Sequence, residues 1–296
     1  MDLINKSSIR FFVFILILVS LDTVLAQNSI SGDVGSSSWG IITELQNYFL
    51  FSQVKSSLKM KAGYPVIMSR FPAVGMVYHN RRSKLFQELK ISVSLPSDLS
   101  SDNGTGVNYL LQKESSTCFS SQIDYRLSFM LFRIKKLTAR HGLVSGFHYE
   151  NYRLHYLSGS YEKIRETGFY IGPGLQFVYH LSEIWMIETA FDGRFYIPYL
   201  SYGTLVSVDD QGVEIFSSGY RPFYYQSVFR AGVDYKIYGK GVIKAGIMRS
   251  DLLGFGCRKP LFNADSAVHY KIGRLLKVYI EYDFFINKKN IVRKKI

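Results

Sequence analysis

Apolar residues recur at every second position through a series of separate stretches of this chain. That is the period of a strand whose successive side chains point to opposite faces. The clearest stretch is Leu276–Ile286, where Leu276, Val278, Ile280, Tyr282, Phe284 and Ile286 alternate with Lys277, Tyr279, Glu281, Asp283 and Phe285. At about 3.3 Å per residue it is about 36 Å long. Tilted about 45°, it spans about 25 Å, the height of the apolar band on a transmembrane barrel. Strands of soluble sheets are usually only about five or six residues long.

The same alternation recurs along the chain. It is plain at Lys84–Leu95, Cys118–Ile134, Leu143–Tyr156, Thr167–His180, Ile184–Tyr199, Arg221–Ile237 and Val242–Arg249, and weaker at Ile41–Gln53 and Val66–His79. Ile41–Gln53, which could also be a short amphipathic helix, is read as the first strand, and Pro72 and Gly75 interrupt the next segment. The connections alternate in length. Short ones fall near 80–83, 135–141, 181–183 and 238–240, and long ones near 54–66, 96–117, 157–166, 200–220 and 251–274. A β-sandwich has no reason to place a long loop at every second connection. Outer-membrane barrels do so, with short periplasmic turns and long extracellular loops. Lipid also demands closure, because an open sheet edge leaves backbone groups unpaired in hydrocarbon. The pattern therefore predicts an all-β chain forming a closed antiparallel transmembrane β-barrel of about ten strands, with eight or twelve still open.

The N-terminus fits that destination. Lys6 and Arg10 precede the apolar run Phe11–Leu21, and Val24-Leu25-Ala26 precedes Gln27, the layout of a cleaved secretory signal peptide. The run is too short for a membrane-spanning helix. The expected organisation is a signal peptide at 1–26, a barrel at 27–286 and a basic tail at 287–296. Aromatic content of 16%, with 22 Tyr and 22 Phe, suits the aromatic girdles of a barrel. Two cysteines, Cys118 and Cys257, exclude a disulfide scaffold and leave one bridge or two thiols open.

The net charge is +13. Loss of the signal leaves it unchanged, because Lys6 and Arg10 cancel Asp2 and Asp22. Much of the excess sits at the short turns and the tail, in Arg81, Arg82, Lys84, Arg133, Lys135, Lys136, Arg140, Lys236, Lys240, Lys288, Lys289, Arg293, Lys294 and Lys295. A rim of this kind suits the headgroups of outer-membrane lipids or an acidic periplasmic partner. Nucleic acid is not expected as a partner of a secreted chain without a recognition motif.

With its Ala26-Gln27 junction, short basic turns and aromatic strands, the chain resembles the β-barrel outer-membrane proteins of Bacteroidetes-type bacteria. The resemblance implies a location in the outer membrane of a Gram-negative bacterium and insertion by the barrel-assembly machinery, but no activity. It also implies recognition of a terminal aromatic, a part that Tyr282, Phe284 and Phe285 fit. The tail Asn287–Ile296 departs from that pattern.

Candidate chemistry lies on the polar faces of the strands. Asp124, Arg126, His148, Glu150, Glu188, Asp192, Arg194, Arg230, Asp234, Lys236, Lys277, Glu281 and Asp283 fall opposite the apolar positions, together with Glu88, Lys90 and Lys244. Charges of both signs inside a narrow barrel can pair and fill it. The alternative is a narrow polar passage lined by Arg126, Arg194, Arg230, Glu188 and Asp192. In the closing strand Leu276, Val278, Ile280, Tyr282, Phe284 and Ile286 would face lipid. No nucleophile elbow, metalloprotease helix, paired-cysteine or phosphate-loop motif is present, and six scattered histidines suggest no metal or cofactor. An omptin-like protease would need acidic pairs and a His at the extracellular rim, for which Asp209, Asp210, Asp251, Asp265, His155 and His269 are the stock. A deacylase-like His-x-Ser, His180-Leu181-Ser182, falls at a short turn, on the wrong side for outer-leaflet lipid. The expected role is structural or binding, through the long loops. A narrow passive pore and a rim hydrolase are the alternatives.

Overall fold

The computed structural model describes residues 36–55, 61–63, 67–81, 84–95, 97–101, 116–155, 159–237, 241–258 and 268–285. The expected signal peptide, Ile286 of the closing strand and the basic tail lie outside them. Thirteen strand segments form one antiparallel sheet: β1 Ser36–Lys55, β2 Lys61–Gly63, β3 Ile67–Arg81, β4 Leu85–Ser94, β5 Ser97–Ser101, β6 Thr117–Ile134, β7 Leu137–His155, β8 Tyr161–His180, β9 Trp185–Tyr196, β10 Tyr202–Val208, β11 Glu214–Ile237, β12 Gly241–Arg258 and β13 Val268–Phe285. β2 and β3 both pair with β1, β4 and β5 both lie between β3 and β6, and β9 and β10 both lie between β8 and β11. The segments thus make ten staves, and β1 closes the ring against β13 from Ser38↔Phe285 to Lys55↔Val268.

The weak first segment is therefore a full stave. Its even positions Ser38, Gly40, Ile42, Glu44 and Gln46 are buried, while Trp39, Ile41, Thr43 and Leu45 are exposed. Pro72, which has no N–H for the ladder, sits on the exposed side of β3, and its carbonyl accepts the Leu95 N–H at 2.9 Å.

The strands also run further than the alternation foretells. The expected 157–166 loop is mostly β8, and 200–220 is a hairpin of β10 and β11 turning at 209–213. Strand likewise occupies Asp251–Arg258 and Val268–Arg274 within the expected 251–274 loop. At the opposite end the 135–141 turn shrinks to Lys135-Lys136, because Leu137 already pairs with Ile134. The reason is environmental. Beyond the apolar band a strand has water outside it and needs no hydrophobic alternation, yet its backbone still pairs with its neighbours.

Outward-facing residues form the apolar band: Ile171, Leu175, Phe177 and Tyr179 on β8, for example, and Leu276, Val278, Ile280 and Phe284 on β13 are exposed, with Tyr282 half-buried. Inside, the space is tight. A methyl at Gly232 would lie 2.7 Å from the Tyr279 hydroxyl and 3.0 Å from the Ala245 carbonyl oxygen. Ile280 sits mid-band, so Ile280→Arg should cost about 2–4 kcal/mol of unfolding free energy in lipid, and Thr204→Arg, beyond the band, about 0–1 kcal/mol. Urea midpoints of the two variants in bilayers test this; equal shifts would contradict the placement of the band.

Candidate functional site

The inward face of nearly every stave carries charge, and the side chains meet across the ring. Nearest the short turns, Lys244 of β12 pairs with Glu281 of β13 and lies 2.9 Å from Asp283. His79 of β3 reaches into the same cluster, its Nε2 2.8 Å from Glu281 and 2.7 Å from Lys244 Nζ. Beside it, Arg230 of β11 donates to Glu88 of β4 at 2.9 Å and lies 3.6 Å from Glu188 of β9. β4 and β11 stand halfway round the ring from one another, so this pair spans the interior.

A second tier lies further along the strands. Arg126 of β6 donates to both carboxylate oxygens of Asp192 of β9, at 2.5 and 2.6 Å, across two intervening staves. Arg194 lies 3.2 Å from Asp124 and stacks 4.7 Å over the Tyr170 ring. Lys277, 2% exposed, lies 3.2 Å from Glu44 and donates to Gln122 of β6 at 3.3 Å, and Lys90 also pairs with Glu44. Burying charge without a partner is expensive. Here cations and carboxylates enter together, so each buried group gains Coulomb attraction where water is displaced.

A third tier is aromatic. Tyr170, Tyr196 and Tyr224 pack with Val144, and Tyr224 donates its hydroxyl to Glu166 at 2.8 Å. His148 Nε2 is 3.5 Å from the same carboxylate, and its ring is edge-on to Tyr196. Hydrogen bonds to charged groups contribute about 1.5–3 kcal/mol. Tyr224→Phe should lower stability by that amount, read as a shifted unfolding midpoint, and adding Glu166→Gln should recover part of the loss. An unshifted midpoint would remove Tyr224 from this network.

Among the charged positions expected inside, Asp124, Arg126, His148, Glu188, Asp192, Arg194, Arg230, Lys277, Glu281 and Asp283 are joined by these contacts. Asp234 is buried in register with Lys244, Glu150 is half-buried opposite Glu166, and Lys236 is half-buried at the end of β11. Three central participants were not among the expected residues: Glu44, His79 and Glu166. The parity of Ile41, Leu45, Val74 and Met76 turns Glu44 and His79 inward, and extending β8 one residue back past Thr167 adds Glu166 to the inward row of Gly168 and Tyr170.

Two turn-end cations belong inside rather than on the rim. Arg81 and Arg140 are half-buried and lie 5.8 and 5.0 Å over the Phe86 ring. Arg133, Lys135 and Lys136 are exposed there.

Most of the described residues considered for hydrolysis have local contacts of their own. Asp209 accepts the Gln211 and Val213 N–H groups and so shapes its own turn, Asp251 pairs with Arg249 at 2.8 Å, and His155 stacks on Tyr161. Ser182 accepts the Ile184 and Trp185 N–H groups. Asp265 and the His269 side chain lie outside the described residues.

No protein-family model matches the chain, and comparison with curated proteins returns no match. Solved structures do match. The outer-membrane protease OmpT from Escherichia coli is 11% identical, over 86% of this chain and 99% of that one, with a TM-score of 0.59. OprG from Pseudomonas aeruginosa is 9% identical, over 84% and 97% of the two chains, with a TM-score of 0.37. The Pseudomonas putida toluene transporter TodX is 8% identical, over 83% and 89%, with a TM-score of 0.37. At such identities the likeness is one of fold alone: this chain has the fold of an outer-membrane β-barrel.

Proposed function

We propose that this chain is an integral outer-membrane barrel with a sealed interior, serving a structural or binding role at its long-connection end. The carrying observation is the set of charged contacts between non-adjacent staves, above all Arg230 to Glu88 across the full ring and Arg126 to Asp192. An open pore needs its charged side chains held back against the wall with water between them. Contacts of 2.5–2.9 Å between distant walls put side chains across the middle of the ring, which supports a filled interior. The extension of β7, β8, β10, β11 and β12 past the apolar band supports placing the binding surface at that end. Val24-Leu25-Ala26-Gln27 and the short basic turns support secretion and a barrel of the Bacteroidetes type. Exposed Arg133, Lys135 and Lys136 would face lipid headgroups or an acidic partner at the other end, and Tyr282 and Phe284 would be read by the assembly machinery.

Planar bilayers test the reading. The purified mature protein should insert without step conductance; regular ohmic steps would replace the sealed barrel with the narrow pore.

A further inference from the structure

Among the described residues, the outer wall carries a concentration of cations that no carboxylate answers. Just past the apolar band, outward residues of four neighbouring staves line up in two rows. Phe119 of β6 pairs with Asn151 of β7, Asn151 with Arg165 of β8, and Arg165 with Thr204 of β10. In the next row Thr117 pairs with Arg153, Arg153 with Lys163, and Lys163 with Val206. Arg153, Lys163 and Arg165 thus converge on one concavity of about 130 Å³, which Phe119 and Asn151 also line.

Like charges directly opposite one another on paired strands are destabilising. Arg153 and Lys163 are such a pair, with Arg165 one row away, and among the described residues none of the three has a carboxylate partner. The barrel answers a comparable outward cation elsewhere: Arg249 has Asp251 at 2.8 Å on its own strand.

What lies below the cluster narrows the anion. Phe119 and Tyr149 pack with ring centroids 6.2 Å apart, and Phe147 and Phe169 with centroids 4.9 Å apart, on the outward face beneath the cations. A bare anion uses only the upper rows. A lipid uses both, its phosphate on the cations and its acyl chains over the rings.

We propose that Arg153, Lys163 and Arg165 form a seat for the phosphate of an anionic lipid headgroup in the leaflet at the long-connection end. The seat rests on the reading that the apolar band sits in a bilayer, but not on whether the interior is sealed. Two guanidinium forks and an ammonium supply the donors, and Asn151 adds an amide beside them.

Native mass spectrometry of the full mature chain in detergent can test this, with dioctanoyl phosphatidylglycerol, dioctanoyl phosphatidylcholine and inorganic phosphate as separate probes. Phosphatidylglycerol adducts should form at concentrations at least tenfold below those needed for phosphatidylcholine. Arg153→Ala/Lys163→Ala/Arg165→Ala should abolish that preference, while Arg249→Ala elsewhere on the outer wall and the conservative Arg165→Lys keep it. Heat-modifiable migration checks that each variant is folded, and should the triple variant fail to fold, Arg153→Gln alone should still weaken binding several-fold. The proposal is overturned if inorganic phosphate binds as well as the lipid, if phosphatidylcholine does, or if the triple variant keeps the preference as Arg249→Ala does. A mature protein that stays soluble without detergent would instead overturn the membrane reading itself.

Discussion

Replacing Arg230 alone with alanine should destabilise the barrel by about 3–5 kcal/mol, because it strands Glu88 and Glu188 in the interior without their cation. The penalty comes less from losing an attraction than from leaving carboxylates buried beside it. Glu88→Gln/Arg230→Met, which removes charge from both sides, should therefore be milder than Arg230→Ala. Urea unfolding of the folded, heat-modifiable form supplies the measurement. If the double variant is as unstable as the single, the pair acts through packing rather than charge. A further comparison uses Arg249→Ala, which breaks an exposed pair on the outer wall. Exposed pairs contribute only about 0–1 kcal/mol, so that variant should unfold almost like the parent.

Clearing the interior should convert the barrel into a channel. Glu88→Ala/Arg230→Ala/Arg126→Ala/Asp192→Ala removes two of the contacts that bridge distant walls, at two levels, while leaving every outward residue in place. Removing one cation with each carboxylate leaves the net charge of the interior unchanged, although Glu188 loses Arg230. Discrete conductance steps are expected from this variant where the parent has none. Glu188 and Arg194 would remain near the cleared path, and Arg194→Glu on that background should shift the preference towards cations. A silent quadruple variant that is still folded would mean that the remaining contacts, Lys277 to Gln122 and the aromatic tier of Tyr170, Tyr196 and Tyr224 among them, keep the barrel closed.

The staves were legible in the sequence wherever lipid lies outside them. Hydrocarbon imposes a strict rule on every second residue, and Leu276 to Phe284 or Leu127 to Phe119 obey it visibly. Where water rather than lipid lies outside, the rule lapses. Tyr161–Glu166, Tyr202–Val208 and Asp251–Arg258 therefore read as loops although they are strand. The interior was legible in part for the same reason. Parity alone turns Arg126, Asp192, Lys277 and Glu281 inward, but it cannot say which inward charges meet, since Glu88 and Arg230 come from staves on opposite sides. His79 and Glu44 are harder to place from sequence because their strands carry only weak alternation. The outward cations Arg153, Lys163 and Arg165 share no local motif; only the register of β7 against β8 brings them together.

The interior contacts also bear on the order in which the chain assembles. Glu44 with Lys277 and His79 with Glu281 join residues separated by 233 and 202 positions, so neither can form until the first stave meets the last. Until then a growing sheet would carry those charges unanswered on one face and a finished apolar surface on the other. Such a half-ring is poorly suited to enter lipid. Loop closure of this length is slow, because its entropy is lost before any long-range contact rewards it. The meeting of β1 with β13 is therefore expected to be the slow step of assembly. Single changes at Glu44 or His79 should delay the appearance of the folded species far more than changes of equal cost on adjacent, early-pairing staves such as β7 and β8.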